Sequence, residues 1–244
     1  MLQKLATTAR AALGLPRKFN EEEFKRWRRE STDPVVRSGK CYVPMPGFED
    51  RKHFSDKQNL HHLGRYEWAA KVLSRDGAQP GRVLDCTCGV GYGTAKLAAF
   101  ADAVEGIDSY GLAVSRARTH YDLPNATWHE RDVSDLRSLF VDDAFDAIVC
   151  FQTIECIEDD TRFLDDLHAL LKPGGVLLID TPVRPRHEDN PENPHHKRHY
   201  SLDEWLDLLT GRFHQVRAFE DLPEAEFLKS CGMPSTGSIA HCVK

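Results

Sequence analysis

The sequence predicts an α/β fold, a mostly parallel sheet with helices on both faces. Three observations predict it. Short apolar runs alternate with helical stretches along residues 61–209. Aspartates stand at or just past the ends of the first three runs. The first run opens onto a glycine-rich turn, the arrangement that holds a nucleotide-like ligand at a strand's carboxyl end.

The elements follow in order. Residues 21–60 are charged and broken by Pro34, Pro44 and Pro46, so a helix from Glu21 to Arg29 gives way to an irregular segment. Residues 61–75 pattern as a helix entering the core at Leu63, Tyr66, Ala70 and Leu73. Then come strand 82–86, helix 93–101, strand 103–107, helix 111–120, and strands 126–130 and 146–151. Helix 159–171 places Phe163, Leu164, Leu167, Leu170 and Leu171 on one face and Asp165, Asp166 and His168 toward water. Pro173 and the Gly174–Gly175 pair are expected to stop it. Strand 175–180, helix 202–209 and two final strands, 215–219 and 238–243, complete the pattern. The domain division expected is an N-terminal helical or irregular extension over 1–60 and the main domain over 61–244.

Composition narrows the function. The 244 residues carry a net charge of −6, so no global field draws the chain to nucleic acid or to an anionic membrane. Seven cysteines without a Cys-x-x-Cys pair indicate neither a zinc knuckle nor a disulfide framework, and a reducing cytoplasm is the expected setting. No metal site is expected. No apolar stretch approaches the ~18 residues of a membrane span. Lys4, Arg10, Arg17 and Lys18 give the first twenty residues a positive charge. Leu2, Leu5, Ala9, Ala12 and Leu13 fall near helical spacing, which leaves open a weak membrane-surface contact or an ordinary terminal helix.

The candidate site begins at Asp85. Gly89, Gly91 and Gly93 follow at alternate positions, where glycine permits close backbone approach or a positive φ. The next helix would offer its first N–H groups to an anion. Asp108 ends the second run, some 20 residues on, where a carboxylate can accept from both hydroxyls of a ribose. Asp132 lies just past the third run, placed to accept from an adenine amino group. Each alone also reads as a strand-end turn residue; the ordered set is what points to a cofactor.

These segments resemble a class I S-adenosylmethionine (SAM)-dependent methyltransferase. Residues 83–94, VLDCTCGVGYGT, resemble that family's first motif, VLDxGCGxGYGT. FDAIVCFQTIECI, from Phe145 to Ile157, resembles its fourth-strand segment, and Leu171–Lys172–Pro173–Gly174–Gly175 its LKPGG turn. HLGRY at 62–66 and NPHHKRHYSL at 193–202 resemble the HLxRY and NPFHVREYS segments of a bacterial branch that tailors small molecules and glycans. The resemblance implies a Rossmann-like seven-stranded mostly parallel sheet with a final antiparallel strand. It implies SAM as cofactor, lined by Arg65, Tyr66, Asp85, Cys86, Thr87, Gly89, Gly91, Tyr92, Gly93, Asp108, Ser109, Asp132, Val133, Phe151 and Gln152. The acceptor implied is a small molecule or a glycan-linked group.

Two departures matter. Thr87 replaces a glycine, so a negative φ is expected there or a shifted loop. Cys156 replaces a histidine. Phe151 reads equally as a cofactor contact or as packing. Arg65 reads equally as a partner for the methionine carboxylate or as a solvated helix charge. His196, in a histidine-rich loop following the fifth strand, is the candidate catalytic base or acceptor-orienting group, as the resembling segment has a histidine there; a solvated loop is the other reading. A non-catalytic SAM-binding or scaffold protein of the same fold is the alternative. An NAD oxidoreductase is disfavoured because Thr94 stands where the GxGxxG fingerprint needs its last glycine.

Overall fold

A computed structural model describes residues 56–189, 191, 193, 195–231 and 238–244. The expected helix over Glu21–Arg29 and the basic N-terminal segment lie outside the described residues.

The described residues open with helix α1 (Asp56–Leu73), then alternate β1 (Arg82–Cys86), α2 (Tyr92–Leu97), β2 (Ala103–Asp108), α3 (Gly111–His120) and β3 (Ala126–Glu130). The short α4 (Leu136–Leu139) precedes β4 (Phe145–Phe151), α5 (Asp160–Leu170) and β5 (Leu171–Asp180). Three short strands follow: β6 (Val183–Arg184), β7 (Glu188–Asp189) and β8 (Arg198–Ser201). The chain ends with α6 (Leu202–Thr210), β9 (Gln215–Ala218), α7 (Ala225–Ser230) and β10 (Ile239–Val243).

Seven strands form one sheet in the order β3-β2-β1-β4-β5-β10-β9. Pairs from β3 to β5 are parallel, and β10 runs antiparallel to both of its neighbours. The expected fold class is the observed one. The chain moves outward from β1 to β3 and then restarts at β4 on β1's other side. That reversal opens a crevice at the carboxyl ends of β1 and β4, where ligands bind in open α/β sheets.

Strand alternation decides which face each residue serves. Val83, Val104, Val149 and Leu178 pack on one face with Leu63 and Ala69 of α1, Leu97 of α2, Val114 of α3 and Leu228 of α7. Leu84, Cys86, Ile107, Ile148 and Ile179 pack on the other with Leu136 of α4, Leu164 and Leu167 of α5, and Trp205 and Leu209 of α6. Each core is continuous, so both faces of the central strands are dry.

Several boundaries shift from expectation. Helix 93–101 is shorter, ending at Leu97. Helix 159–171 ends one residue early, and Leu171 already pairs with Phe145 as the first residue of β5. The Lys172–Gly175 stretch does not separate helix from strand; the register shifts between Phe145 and Ala147, and Gly174 takes φ +76. The small sheet β6-β8-β7 inside the histidine-rich loop was not expected. Its strands of two, two and four residues are too short to show a period.

Candidate functional site

The crevice is walled by what each strand carries at its end. Asp85 lies on the α1 face of β1, one residue before Cys86 on the opposite face. Tyr66 Oη of α1 donates to Asp85 Oδ1 at 2.9 Å and Thr94 Oγ1 of α2 donates to Oδ2 at 2.6 Å. Burial pushes the Asp85 carboxyl up to about 7, against the two hydroxyls that pull it down. Asp85 thus ties α1 and α2 to β1.

The glycine loop resolves into three different reasons for glycine. Gly93 has Tyr66 directly above it: a Cβ there would come within 2.1 Å of the ring. Gly91 takes φ +88, and its Cβ would meet Trp128 at 2.6 Å and Ala117 at 2.7 Å. Gly89 takes φ +55 with nothing among the described residues within 4 Å of its missing Cβ. Of the three, Gly89 alone borders open space among the described residues. Thr87 overturns the expectation of negative φ, for it sits at φ +56. Its hydroxyl donates to the Cys86 carbonyl at 2.7 Å and meets the Thr153 hydroxyl, which compensates the strained backbone.

Asp108 is held for use. Gly89 N donates to its Oδ2 at 3.0 Å and Tyr110 N to its Oδ1 at 2.8 Å. Burial raises its carboxyl while these two N–H groups lower it. Each oxygen keeps a lone pair, which suits a diol. The neighbouring Ser109 is exposed. Asp132 is exposed too, and caps the turn after β3 by accepting from Ser134 N at 2.8 Å. It lines a cavity of about 370 Å³ shared with Ser134, Cys156, Ile157, Glu158 and Lys197. Val133 is buried in the core facing α4.

Other residues land differently from the sequence reading. The Cys86 side chain is fully buried in the α5 face of the core, so β1 alternation denies it to a ligand. Arg65 is no solvated helix charge: it is buried and its Nε pairs with Asp180. Asp180 also accepts from Gln152 N at 2.9 Å and Gln152 Nε2 at 3.1 Å, with Gln152 at φ +53. Tyr66 meets Tyr92 and Phe151 edge to face, with centroids 5.4 and 5.3 Å apart. Phe151 also leans on Trp68, so packing is one part of its role. Cys156 borders the cavity, and burial pushes its thiol up to about 12, so it is held as a neutral thiol.

Sequence reasoning missed Asp180, Thr153, Thr181 and Glu155. Asp180 carried a signal, since it ends the fifth apolar run as Asp85 and Asp108 end theirs. Glu155 is buried; Thr181 Oγ1 donates to its Oε2 at 3.0 Å, and burial pushes the carboxyl up to about 8. Its Oε1 has no hydrogen-bond partner among the described residues.

The histidine-rich loop is stitched to this rim. Lys197 N donates to the Glu155 carbonyl at 2.7 Å, and Arg198 donates to the carbonyls of Ile157 and Glu158 at 3.1 and 2.8 Å. Asn193 turns the chain into the two adjacent histidines, its Oδ1 accepting from His195 N and its carbonyl from His196 N. His196 Nδ1 lies 2.7 Å from His199 Nε2, and His199 Nδ1 lies 2.9 Å from Glu188 Oε2. Burial, and next His199, hold His196 down at about 4, below the 6.5 of a free imidazole. His187 sits on the surface between Asp189 and Glu204. Among the described residues no cluster of three or more His, Cys, Asp or Glu is arranged to hold a metal ion, and no helix is long and apolar enough to cross a membrane.

Residues 60–222 match the family described as Methyltransferase domain. A Mycolicibacterium smegmatis protein named "Probable S-adenosylmethionine-dependent methyltransferase" is 34% identical over 168 residues, 68% of this chain and 60% of its own length. A ubiquinone biosynthesis O-methyltransferase of Xanthomonas axonopodis is 33% identical over 126 residues, 50% of this chain and 51% of its own. The chain thus spans between half and two thirds of the length of these relatives. The N-methyltransferase NodS of Bradyrhizobium japonicum, solved with S-adenosyl-L-homocysteine, shares the fold with a TM-score of 0.53 at 16% identity, covering 92% of this chain and 97% of that one. The chain belongs to the methyltransferase domain family, within the class I fold whose cofactor is SAM.

Proposed function

We propose that this protein transfers the SAM methyl group to a small-molecule or glycan-linked acceptor, in the manner of the bacterial tailoring branch its HLGRY and NPHHKRHYS segments resemble. The observation that carries the reading is Asp108. Its carboxylate is aimed by two backbone N–H groups, one of them from Gly89, whose missing side chain leaves open space beside it. That is a cradle with a diol acceptor on its rim, and it fits SAM.

Asp108 would take the ribose hydroxyls, and Asp132, on the cavity wall, the adenine amino group. The backbone of Thr87 and Gly89 would line the approach. Tyr66, Tyr92 and Phe151 would supply aromatic faces, which favour a cation. Arg65, paired with Asp180 through its Nε, would hold the methionine carboxylate through its Nη donors. When bound, SAM supplies a methyl group on sulfur that is already a good leaving group. The protein's share is then alignment and exclusion of water, with a base only where the acceptor must lose a proton. His196, half-buried and kept neutral at physiological pH, is the group for that proton. The relative named ubiquinone biosynthesis O-methyltransferase favours a small hydroxyl-bearing acceptor as the first to try.

The test is a pair of measurements. Titration calorimetry should show SAM binding, weakened about 10- to 150-fold in Asp108→Ala, the range for losing ~1.5–3 kcal/mol of hydrogen bonding to a charged group. Incubation with SAM and a panel of catechols and glycosides should release S-adenosylhomocysteine. Binding without turnover across the panel favours the non-catalytic alternative; unchanged affinity in Asp108→Ala removes Asp108 from the site.

A further inference from the structure

The histidine-rich loop carries a second layer of organisation that its sequence does not announce. Strands β7 and β8 pair antiparallel with Glu188 directly opposite His199. Directly opposed side chains stand about 5 Å apart at Cβ, close enough for a glutamate to reach an imidazole. Three residues earlier, His196 turns back onto the same ring. The result is a line of three groups: Glu188 Oε2 to His199 Nδ1 at 2.9 Å, then His199 Nε2 to His196 Nδ1 at 2.7 Å. His199 is buried, so its ring is fixed by packing as well as by these bonds.

The chemistry of the line is directional. A carboxylate only accepts, so His199 must carry its proton on Nδ1. In a neutral imidazole the other nitrogen is then an acceptor. His199 Nε2 therefore takes a hydrogen bond from His196, which must carry its own proton on Nδ1. The lone pair of His196 is left on Nε2. We infer that Glu188 and His199 are positioning residues that set the tautomer of His196 and present its Nε2 as the base for the acceptor. The inference rests on the proposed methyl transfer only for what Nε2 acts upon; the tautomer chain stands on the geometry alone.

The step balances simply. The acceptor's O–H or N–H bond breaks, its electron pair stays on the acceptor as the nucleophile, and the proton goes to Nε2. His196 becomes an imidazolium whose Nδ1–H already points at an acceptor nitrogen. His199 is in turn backed by a carboxylate, so the new positive charge meets a negative one two groups away. Among the described residues, Arg184 of β6 acts on His196, and Arg184 and Arg186 act on Glu188. Arg184 opposes positive charge on His196, and the Glu188 carboxylate opposes Arg184.

Protein labelled with ¹⁵N in its histidine rings reports each tautomer by NMR, with no acceptor needed. At about pH 7.5, where neutral imidazole dominates, His196 should show the Nδ1–H form. In Glu188→Ala, a change at a partly exposed side chain, the lock is lost and a large Nε2–H fraction should appear. Glu188→Gln keeps an acceptor oxygen and should restore the wild-type tautomer, which a merely structural role would not predict. SAM titration of the same samples should be unchanged in all three. A wild-type His196 in the Nε2–H form, or a tautomer unmoved in Glu188→Ala, overturns the proposal. Wild-type protein that fails to bind SAM would instead sink the proposed function, and would leave the tautomer result readable.

Discussion

Gly89 and Gly91 stand two residues apart in one loop, and the structure predicts opposite consequences for placing alanine at each. At Gly91 an alanine meets two penalties. A positive φ costs a non-glycine residue on the order of 1–3 kcal/mol. Its Cβ would also fall 2.6 Å from the Trp128 ring and 2.7 Å from Ala117 Cβ, both in the core, so a packed wall must move. Overpacking of this kind costs roughly 1–3 kcal/mol more. Gly91→Ala should therefore lose about 2–6 kcal/mol, a fall in Tm on the order of 4–24 °C for a domain of this size. At Gly89 only the backbone term applies, because nothing lies within 4 Å of the added carbon. That carbon would occupy the cradle, so Gly89→Ala should keep most of its stability and lose SAM affinity. Calorimetric melts of both variants and SAM titrations well below Tm separate the two effects. A Gly91→Ala protein that melts at or above Gly89→Ala would refute the steric argument. Undiminished SAM affinity in Gly89→Ala would refute the placement of the cofactor beside it.

Three further outcomes follow from the same geometry. Asp132→Ala should narrow the preference for SAM over its inosine analogue, measured as a ratio of dissociation constants; an unaltered ratio would remove Asp132 from adenine recognition and leave it as the cap of Ser134. Asp180→Ala should cost roughly 3–5 kcal/mol in urea unfolding, because Arg65 would remain buried without its partner; a loss under 1 kcal/mol would mean that Arg65 finds water. Glu155 has a folded-state pKa of about 8, above its ordinary 4.5, so its contribution to stability is full below about 4.5 and lost as pH rises through about 8. Tm should fall between about pH 5 and 8, and Glu155→Gln, which stays neutral, should flatten that slope; an equally steep slope in the variant would place the titration elsewhere, Asp85 being the next candidate with a carboxyl pushed up to about 7.

The fold was legible because its signals are local and periodic. Strand β1 reads Arg-Val-Leu-Asp-Cys, and a buried strand between two helical layers needs apolar residues on both sides, which the run supplies. Helix α5 showed its stripe at 3.6 spacing, and Phe163, Leu164, Leu167 and Leu170 are all buried. The misses have local causes as well. Leu171 fits a helix face and a strand start equally, and only its pairing with Phe145 decides between them. Thr87 takes positive φ against its own preference because a second hydroxyl, Thr153, waits across the crevice 66 residues away.

The site was legible as a set of residue types at spacings, and much less as a set of partners. Asp85 shows why. Its position in the motif suggests a ligand contact, yet Asp85 is fully buried and is tied to Tyr66 and Thr94, whereas Asp108 is not fully buried. A buried carboxyl with two donors is a joint, and here it fixes where the glycine loop leaves β1. Gly93 serves the same joint, since a side chain there would evict the Tyr66 ring that reaches Asp85. The partner of Arg65 lies 115 residues on, and Glu188 meets His199 only through the register of two strands of two and four residues. Periodicity can say which face a side chain takes; it cannot say what stands opposite. The groups that open onto the crevice, Asp108 and Gly89, are therefore held in place by residues whose roles appear only after the chain has folded. Substitutions at Tyr66, Thr94 or Gly93 should disturb SAM binding through Asp85 and the loop it anchors, without any of the three needing to touch the cofactor.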